Sequence, residues 1–350
     1  MTDDALIIYN AVEPAAAGEF AESQSGVLNE VNAVACALDK LAIPSAIESI
    51  ASIEDLPKVL ARSPQRVIFN LVEELPQDIR GACYVPAICE THGRCVTGNG
   101  TAALLLAQNK WHAKAVLSAA GVQCPGGITV FPGEAIACQL PAGRYFVKPA
   151  FCDASEGIDA DSVVDWPGNG LVEAVLRVHT RFAQPALVEQ FIAERELNVS
   201  VLQRGTKVEV LAIAEIDFAA FDSGLARIVD YSAKWHAESF AYNNTPRIIP
   251  APISEAAARR VRSQALAAWH AIGCSGYARV DFRMDSEENT YVIEVNPNPD
   301  ISPDAGFAAA LEKNEINYES FVAVLYDNAL TGSAAAGRDQ SSTLPRADEG

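Results

Sequence analysis

From Tyr277 to Asn296 the chain runs through two alternating segments, Tyr277–Met284 and Thr290–Asn296, joined by a short polar stretch, a pattern that reads as a β-hairpin. With a loop over 286–289, Asp285 pairs with Thr290. Counting back then sets Asp281 opposite Glu294 and Arg279 opposite Asn296. These four polar side chains share one face. The other face carries Val280, Phe282, Met284, Tyr291, Ile293 and Val295, and is expected to pack on a core.

Two carboxylates and an amide oxygen in so small a space repel unless a cation neutralises them. Magnesium commonly takes one or two carboxylates together with substrate phosphates, so the polar face predicts a metal–nucleotide site at Asp281, Glu294 and Asn296. Arg279 on the same face supplies a fixed positive charge for a developing oxyanion or a transferred phosphoryl group. A plain solvated face with Arg–Asp pairs is the alternative. Against it stand Pro297, Pro299 and Pro303, which stiffen the exit beyond what a surface hairpin requires.

The rest of the chain divides by pattern. A strand at 5–9 precedes a helix with Val27, Val31, Val34, Leu38 and Leu41 on one face, and a strand at 66–71, a helix near 78–91 and a strand at 95–97 follow. That order predicts a parallel sheet carrying helices, with the first domain ending at residue 98. No GxGxxG follows the first strand, so a dinucleotide site is unsupported. A helix is expected from Thr101 to about residue 120, then strands at 127–131, 145–149 and 186–191 around a turn-rich loop at 151–159 and a helix at 171–181. These define a small α+β domain over 99–190. A third domain over 191–330 contains strands at 197–203 and 208–216, a polar stretch at 230–244, a helix at 254–272 and the hairpin. Residues 331–350 have the composition of a disordered tail.

Charge narrows the partners. Of the 350 residues, 45 are acidic and 26 basic, a formal charge of −19 that repels a nucleic-acid backbone, although lysines and magnesium within a cleft can still hold a small anion such as ATP. No 18-residue apolar run and no basic leader with an apolar core is present, so a cytoplasmic protein without membrane contact is expected. The eight cysteines form no CxxC pair and read as small buried thiols.

In order along the chain stand Asn109-Lys110, Phe146-Val147-Lys148-Pro149, Leu187 to Ile192 followed by Glu196, Ala233-Lys234, and Glu294-Val295-Asn296. Together these segments resemble the ATP-grasp superfamily, and within it the D-alanine–D-alanine ligase-like group, from Ala5 to about Leu330. The resemblance implies an α/β and α+β architecture: an N-terminal Rossmann-like, pre-ATP-grasp domain, then two α+β domains clasping ATP. It implies an ATP- and magnesium-dependent ligase, with manganese as a substitute ion, that joins a carboxylate to an amine through an acyl-phosphate. Its partners would be those small molecules, and homodimers are common among similar ligases.

By the same resemblance Asp281, Glu294 and Asn296 hold magnesium, and Lys110 and Lys148 contact phosphates. A solvated cation is the competing reading, above all for Lys110 on an exposed-looking helix. Glu189, Phe191 and Ile192 match the hinge that reads adenine, and Glu196 would hold the ribose hydroxyls. Lys234 matches the segment closing on the γ-phosphate. Ser155 lies in the matching phosphate-covering loop, where Asp153 and Glu156 are unusual.

The chain also departs from the group. Where those ligases carry a serine and a tyrosine for the first D-alanine it has Ala154 and Trp235, with Glu13 as a candidate ammonium ligand. Asp300 falls close to the acceptor, where negative charge disfavours a carboxylate unless the residue only caps a turn. Two further readings therefore stay open: a D-alanine–D-alanine ligase with rearranged recognition, and a non-catalytic ATP-binding relative.

Overall fold

The computed structural model describes residues 1–12, 21–75, 78, 80–136, 140–222 and 224–339, with backbone alone for 21–25 and 333–339. Glu13 lies outside the described residues.

The first unit alternates strands and helices: β1 (Thr2–Asn10), α1 (Ala21–Lys40), β2 (Ser45–Ile50), α2 (Leu56–Arg62), β3 (Gln65–Leu71), α3 (Val85–Thr91) and β4 (Cys95–Val96). They form a parallel sheet in the order β2-β1-β3-β4. Val27, Val31, Val34 and Leu38 sit at helical spacing on α1 and are buried against Ala5, Ile7 and Phe69. Each such aliphatic contributes about 1.5–3 kcal/mol when fully buried. Leu6, Ile8 and Ile68 point to the opposite face, where Leu56, Val59 and Val85 cover them. Strand β2 escaped the sequence reading because it is an edge strand whose burial alternates and whose sequence includes Glu48.

The second unit begins with α4 (Thr101–Gln108) and α5 (Lys110–Ala119). The sequence suggested one helix here, but it breaks at Asn109, which is extended at φ −84°, ψ 92° and caps α5 by accepting from His112 N. The break starts a new helix at Lys110 and turns that side chain inward. Next come β5 (Gly127–Val130), β6 (Gly143–Pro149), β7 (Val163–Trp166), α6 (Asn169–Phe182) and β8 (Ala186–Gln190), with antiparallel order β5-β8-β6-β7. Leu171, Ala174, Val175 and Val178 of α6 pack on this sheet.

The third unit contains β9 (Arg195–Arg204), β10 (Lys207–Ile216), α7 (Tyr231–Trp235), α8 (Phe240–Asn243), β11 (Arg247–Ile248), α9 (Glu255–Ile272), β12 (Tyr277–Met284), β13 (Thr290–Asn296), α10 (Gly306–Lys313) and α11 (Tyr318–Asp339). Its antiparallel sheet has the order β11-β10-β9-β12-β13. One face is covered by α9 and α5 through Val261, Ala265, Trp269 and Leu117. Helix α11 returns to the first unit, where Phe321, Val322 and Leu325 join the core beneath α1. It runs on to Asp339, so the disordered tail expected from residue 331 is helical as far as the structure describes it. Among the described residues no helix is long and apolar enough to cross a membrane.

The hairpin forms with one correction. Asp281 faces Glu294 and Arg279 faces Asn296 as expected, but Met284, not Asp285, pairs with Thr290. The loop is therefore one residue longer, and a bulge between Asp281 and Phe282 on one side and Val292 and Glu294 on the other restores register. The bulge puts Val292 in the core and turns Ile293 towards the cleft beside Glu294.

Both ends of the hairpin are tied to the end of the first unit. Asn99 Nδ2 donates to Tyr277 O (2.7 Å) and Pro297 O (2.6 Å), and Ser275 N donates to Asn99 Oδ1 (2.7 Å). Gly98 and Gly276 are both left-handed there, and a Cβ on Gly276 would lie 2.8 Å from Gly98 Cα, so neither backbone tolerates a side chain.

Candidate active site

The sheets of the second and third units face one another across a cleft of about 1210 Å³. Lys148 of β6 and Glu189 of β8 line one wall, Asn198, Asp281 and Glu294 the other, and the loop after β6 covers one end.

On the hairpin, Arg279 grips Asp281 with two bonds, Nε to Oδ1 at 2.7 Å and Nη2 to Oδ2 at 2.8 Å, while Asn198 Nδ2 on β9 donates to Asp281 Oδ1 at 2.9 Å. Asn296 Oδ1 accepts from Asn298 N (2.9 Å). Among the described residues no group of three or more His, Cys, Asp and Glu could enclose a metal alone. Two carboxylates and an amide oxygen nonetheless suit magnesium, a hard cation that takes its remaining ligands from water and phosphate.

Lys110 is buried, which removes the solvated-cation reading. Its Nζ donates to Cys152 O (2.6 Å) and ion-pairs with Asp153 Oδ1 and Glu294 Oε1, each at 3.0 Å. Burial opposes charge on Glu294, but Lys110 and Lys148 prevail and hold its carboxyl down to about 2. Burial likewise opposes charge on Lys110, yet Asp153 and Glu294 keep its ammonium well above the ordinary lysine range.

Lys148 is also buried, 3.2 Å from Glu189 Oε2. The other oxygen of Glu189 lies 2.7 Å from Lys114, so one enclosed carboxylate bridges two ammonium groups. Burial pulls Lys148 below the usual lysine range, with Glu189 opposing; Lys234, which also lines the cleft, is lowered by burial and by Arg279. Sequence reasoning missed Lys114, although its position four residues after Lys110 puts both on one helix face.

Just after β8, Phe191 stacks on Phe146 with ring centroids 6.3 Å apart, and both line the cleft with Ile192. Glu196 pairs with Arg283 Nη1 at 3.0 Å. Arg283 is buried, donates from Nε to Ile192 O (2.8 Å) and lies 5.5 Å from the Phe191 ring centre. It too was overlooked, although alternation from Arg279 and Asp281 assigns it to the polar face. Burial lifts the Glu196 carboxyl while Arg283 opposes the rise.

The covering loop is held in an uncommon conformation. Ala154 (φ 53°) and Ser155 (φ 63°) are consecutive left-handed residues without the freedom of glycine, followed by Gly157 at φ 76°. Two bonds from the facing segment secure them. Trp235 Nε1 donates to Ala154 O (3.1 Å), and Ser155 Oγ donates to Val229 O (2.9 Å). Ala154 and Trp235 are thus joined through a backbone carbonyl.

Asp300 takes the turn role left open above, its Oδ1 accepting from Ser302 N (2.8 Å) and Ser302 Oγ (2.6 Å). Beside it are two carboxylates that sequence reasoning did not single out. Glu30 is buried and accepts from Ile301 N, and Glu73 lines the cleft. Burial and then Glu73 raise Glu30 well above the carboxylate range.

A protein-family profile described as D-ala D-ala ligase C-terminus matches residues 136–327. An uncharacterised protein, y4sG of Sinorhizobium fredii, is 30% identical over 77% of this chain and 76% of its own length. The D-alanine–D-alanine ligase of Caulobacter vibrioides is 28% identical over 88% of this chain and 90% of its own. Among solved structures, D-alanine–D-alanine ligase from Bacillus anthracis complexed with ATP superposes with a TM-score of 0.73 at 17% identity, covering 95% of this chain and all of that one.

Proposed function

Because this chain belongs to the D-alanine–D-alanine ligase family and has the ATP-grasp fold, we propose that it is an ATP-dependent ligase that activates a carboxylate as an acyl-phosphate and transfers it to an amine. The observation that carries this reading is the convergence of Lys110, Lys148, Arg279, Asp281 and Glu294 on one cleft. That combination suits a polyphosphate and its counter-ion better than any uncharged ligand.

In this reading Phe146, Phe191 and Ile192 hold the adenine. The Phe191 N–H is engaged by Arg144 O at 2.9 Å, whereas the Ile192 N–H has no partner among the described residues and is the hinge donor left for the purine ring. Glu196 accepts from the ribose hydroxyls. Lys110 and Lys148 hold phosphate oxygens, with Glu189 fixing Lys148 from behind, and Ser155 belongs to the loop that covers them. Asp281, Glu294 and Asn296 would hold magnesium, or manganese in its place, which when bound supplies neutralisation of phosphate charge.

A donor carboxylate held near Arg279 and Lys234 attacks the γ-phosphorus, and ADP leaves. The amine nitrogen then attacks the acyl carbon, the new C–N bond forms, and phosphate departs with the electrons of the broken C–O bond. Arg279, oriented by its two bonds to Asp281, stabilises the tetrahedral oxyanion. Alignment of the reactants supplies much of the acceleration in such a cleft.

A second reading, that both substrates are D-alanine, is favoured by the names of the relatives. Phosphate release from ATP and magnesium with D- and L-amino acids, dipeptides and amines separates the two, with Asp281→Ala and Glu294→Ala as controls. Release with D-alanine alone selects the second reading. Release with no substrate in the panel, or release that survives both substitutions, removes the ligase assignment.

A further inference from the structure

Arg283 is a buried charge with no part in the nucleotide roles assigned so far. It stands directly opposite Glu196 where β12 pairs with β9, and its Nη1 meets Glu196 Oε2 at 3.0 Å. The same guanidinium donates from Nε to Ile192 O (2.8 Å) and from Nη1 to Arg227 O (2.9 Å). Three stretches of chain therefore meet on one side chain: the exit from β8 at Ile192, the start of β9 at Glu196, and the segment between β10 and α7 at Arg227.

Stability does not account for this pair. Both ions lose water on burial, so a buried ion pair commonly does no better than apolar side chains of the same volume. The guanidinium is not even fully used: Nη2 has no hydrogen-bond partner among the described residues, and the guanidinium carbon lies 5.5 Å from the Phe191 ring centre and 6.0 Å from that of Phe218. Its effect falls on Glu196. Burial works against charge on that carboxyl and Asp281 adds to the opposition, whereas Arg283 favours the charge strongly and Lys234 more weakly. The Arg283 side chain is 6% exposed and that of Glu196 13%, so the carboxylate is the more accessible member of the pair in the cleft that both line. Arg283 holds it through Oε2, and Oε1 receives no hydrogen bond from any described residue.

We infer that Arg283 is the positioning residue of the nucleoside site: it fixes Glu196 with one oxygen free to accept from the ribose hydroxyls and, through Ile192 O, ties that carboxylate to the chain that faces the base. This rests on the ATP reading and adds to it a residue whose effect on affinity is concentrated in the sugar. Arg283 acts through Glu196 and touches no reacting atom. Without it the carboxylate keeps its burial but loses the bond that orients it, and the ribose loses an ordered acceptor.

The test compares the binding of ADP with that of its 2′,3′-dideoxy form, each with magnesium, by calorimetric titration of wild type, Arg283→Met, Arg283→Gln and Glu196→Gln. Wild type is expected to bind ADP on the order of tenfold more tightly than the dideoxy form, the effect of hydrogen bonds to a charged acceptor. In Arg283→Met that ratio falls to about threefold or less, while affinity for the dideoxy form changes little. Arg283→Gln, neutral and still polar, is expected to lose the ratio too. Glu196→Gln loses it as well, and adding Arg283→Met to that variant lowers it no further. A purely structural Arg283 would weaken both nucleotides alike. A ratio unchanged from wild type in Arg283→Met, or in Arg283→Gln should the first variant not fold, therefore overturns the inference. Equal binding of the two nucleotides by wild type removes the sugar contact and the inference with it, leaving the ligase reading standing. Failure of wild type to bind either nucleotide defeats the ATP reading itself.

Discussion

Lys110 Nζ stands 3.0 Å from Asp153 Oδ1 and 3.0 Å from Glu294 Oε1, so an acid of the covering loop already occupies a cation that the proposed function gives to phosphate. The Asp153 side chain is 59% exposed against 5% for Lys110, which makes the aspartate the displaceable partner. Half-exposed pairs are worth about 1 kcal/mol at most. Asp153→Ser is therefore expected to tighten ATP binding by up to roughly fivefold. Calorimetric titration with a non-hydrolysable ATP analogue measures it, and unchanged or weaker binding would show that Asp153 does not compete.

Glu189, enclosed between Lys114 and Lys148, predicts a stability effect outside the reacting centre. Lys114→Met leaves a buried carboxylate with one partner and should lower unfolding stability by about 3 kcal/mol, readable in urea. Adding Glu189→Gln should recover part of that loss, since the stranded charge is gone. Additive losses would show that the pair is not coupled.

The buried carboxylate Glu30 gives the molecule a pH signature. Raised well above the ordinary carboxylate range by burial and then by Glu73, it keeps its proton in the folded protein after the unfolded chain has lost it. Above the ordinary carboxylate range the folded state thus binds more protons, so this group's contribution to stability is largest at the acid end and fades as pH rises. Glu30→Gln should flatten the fall in melting temperature from about pH 5 to about pH 8. An equally steep fall in the variant would remove Glu30 as its source.

Much of this was legible in the sequence where one physical rule acted alone. Alternation along β12 put Arg279 and Asp281 on the cleft side, and the 3- and 4-residue spacing of Val27, Val31, Val34 and Leu38 fixed the buried face of α1. Where two rules competed, the reading slipped. Helix propensity carried 101–120 through Asn109, but its capping bond to His112 N ended one helix and began another, burying Lys110. The bulge at Ile293 left no mark in the alternation, because Val292 and Ile293 are equally apolar. Lys114 and Arg283 share a helix face and a strand face with residues that were singled out, but their roles come from Glu189 and Glu196, partners far along the chain.

The central claim is that a carboxylate oxygen passes to phosphate. The direct measurement supplies donors labelled with oxygen-18 in both carboxylate oxygens, together with unlabelled ATP, and weighs the phosphate released by mass spectrometry. An acyl-phosphate route predicts one labelled oxygen per phosphate, because the carboxylate oxygen that attacked phosphorus leaves with it. Unlabelled phosphate formed in step with the amide product would mean that phosphoryl transfer goes elsewhere and would contradict the account.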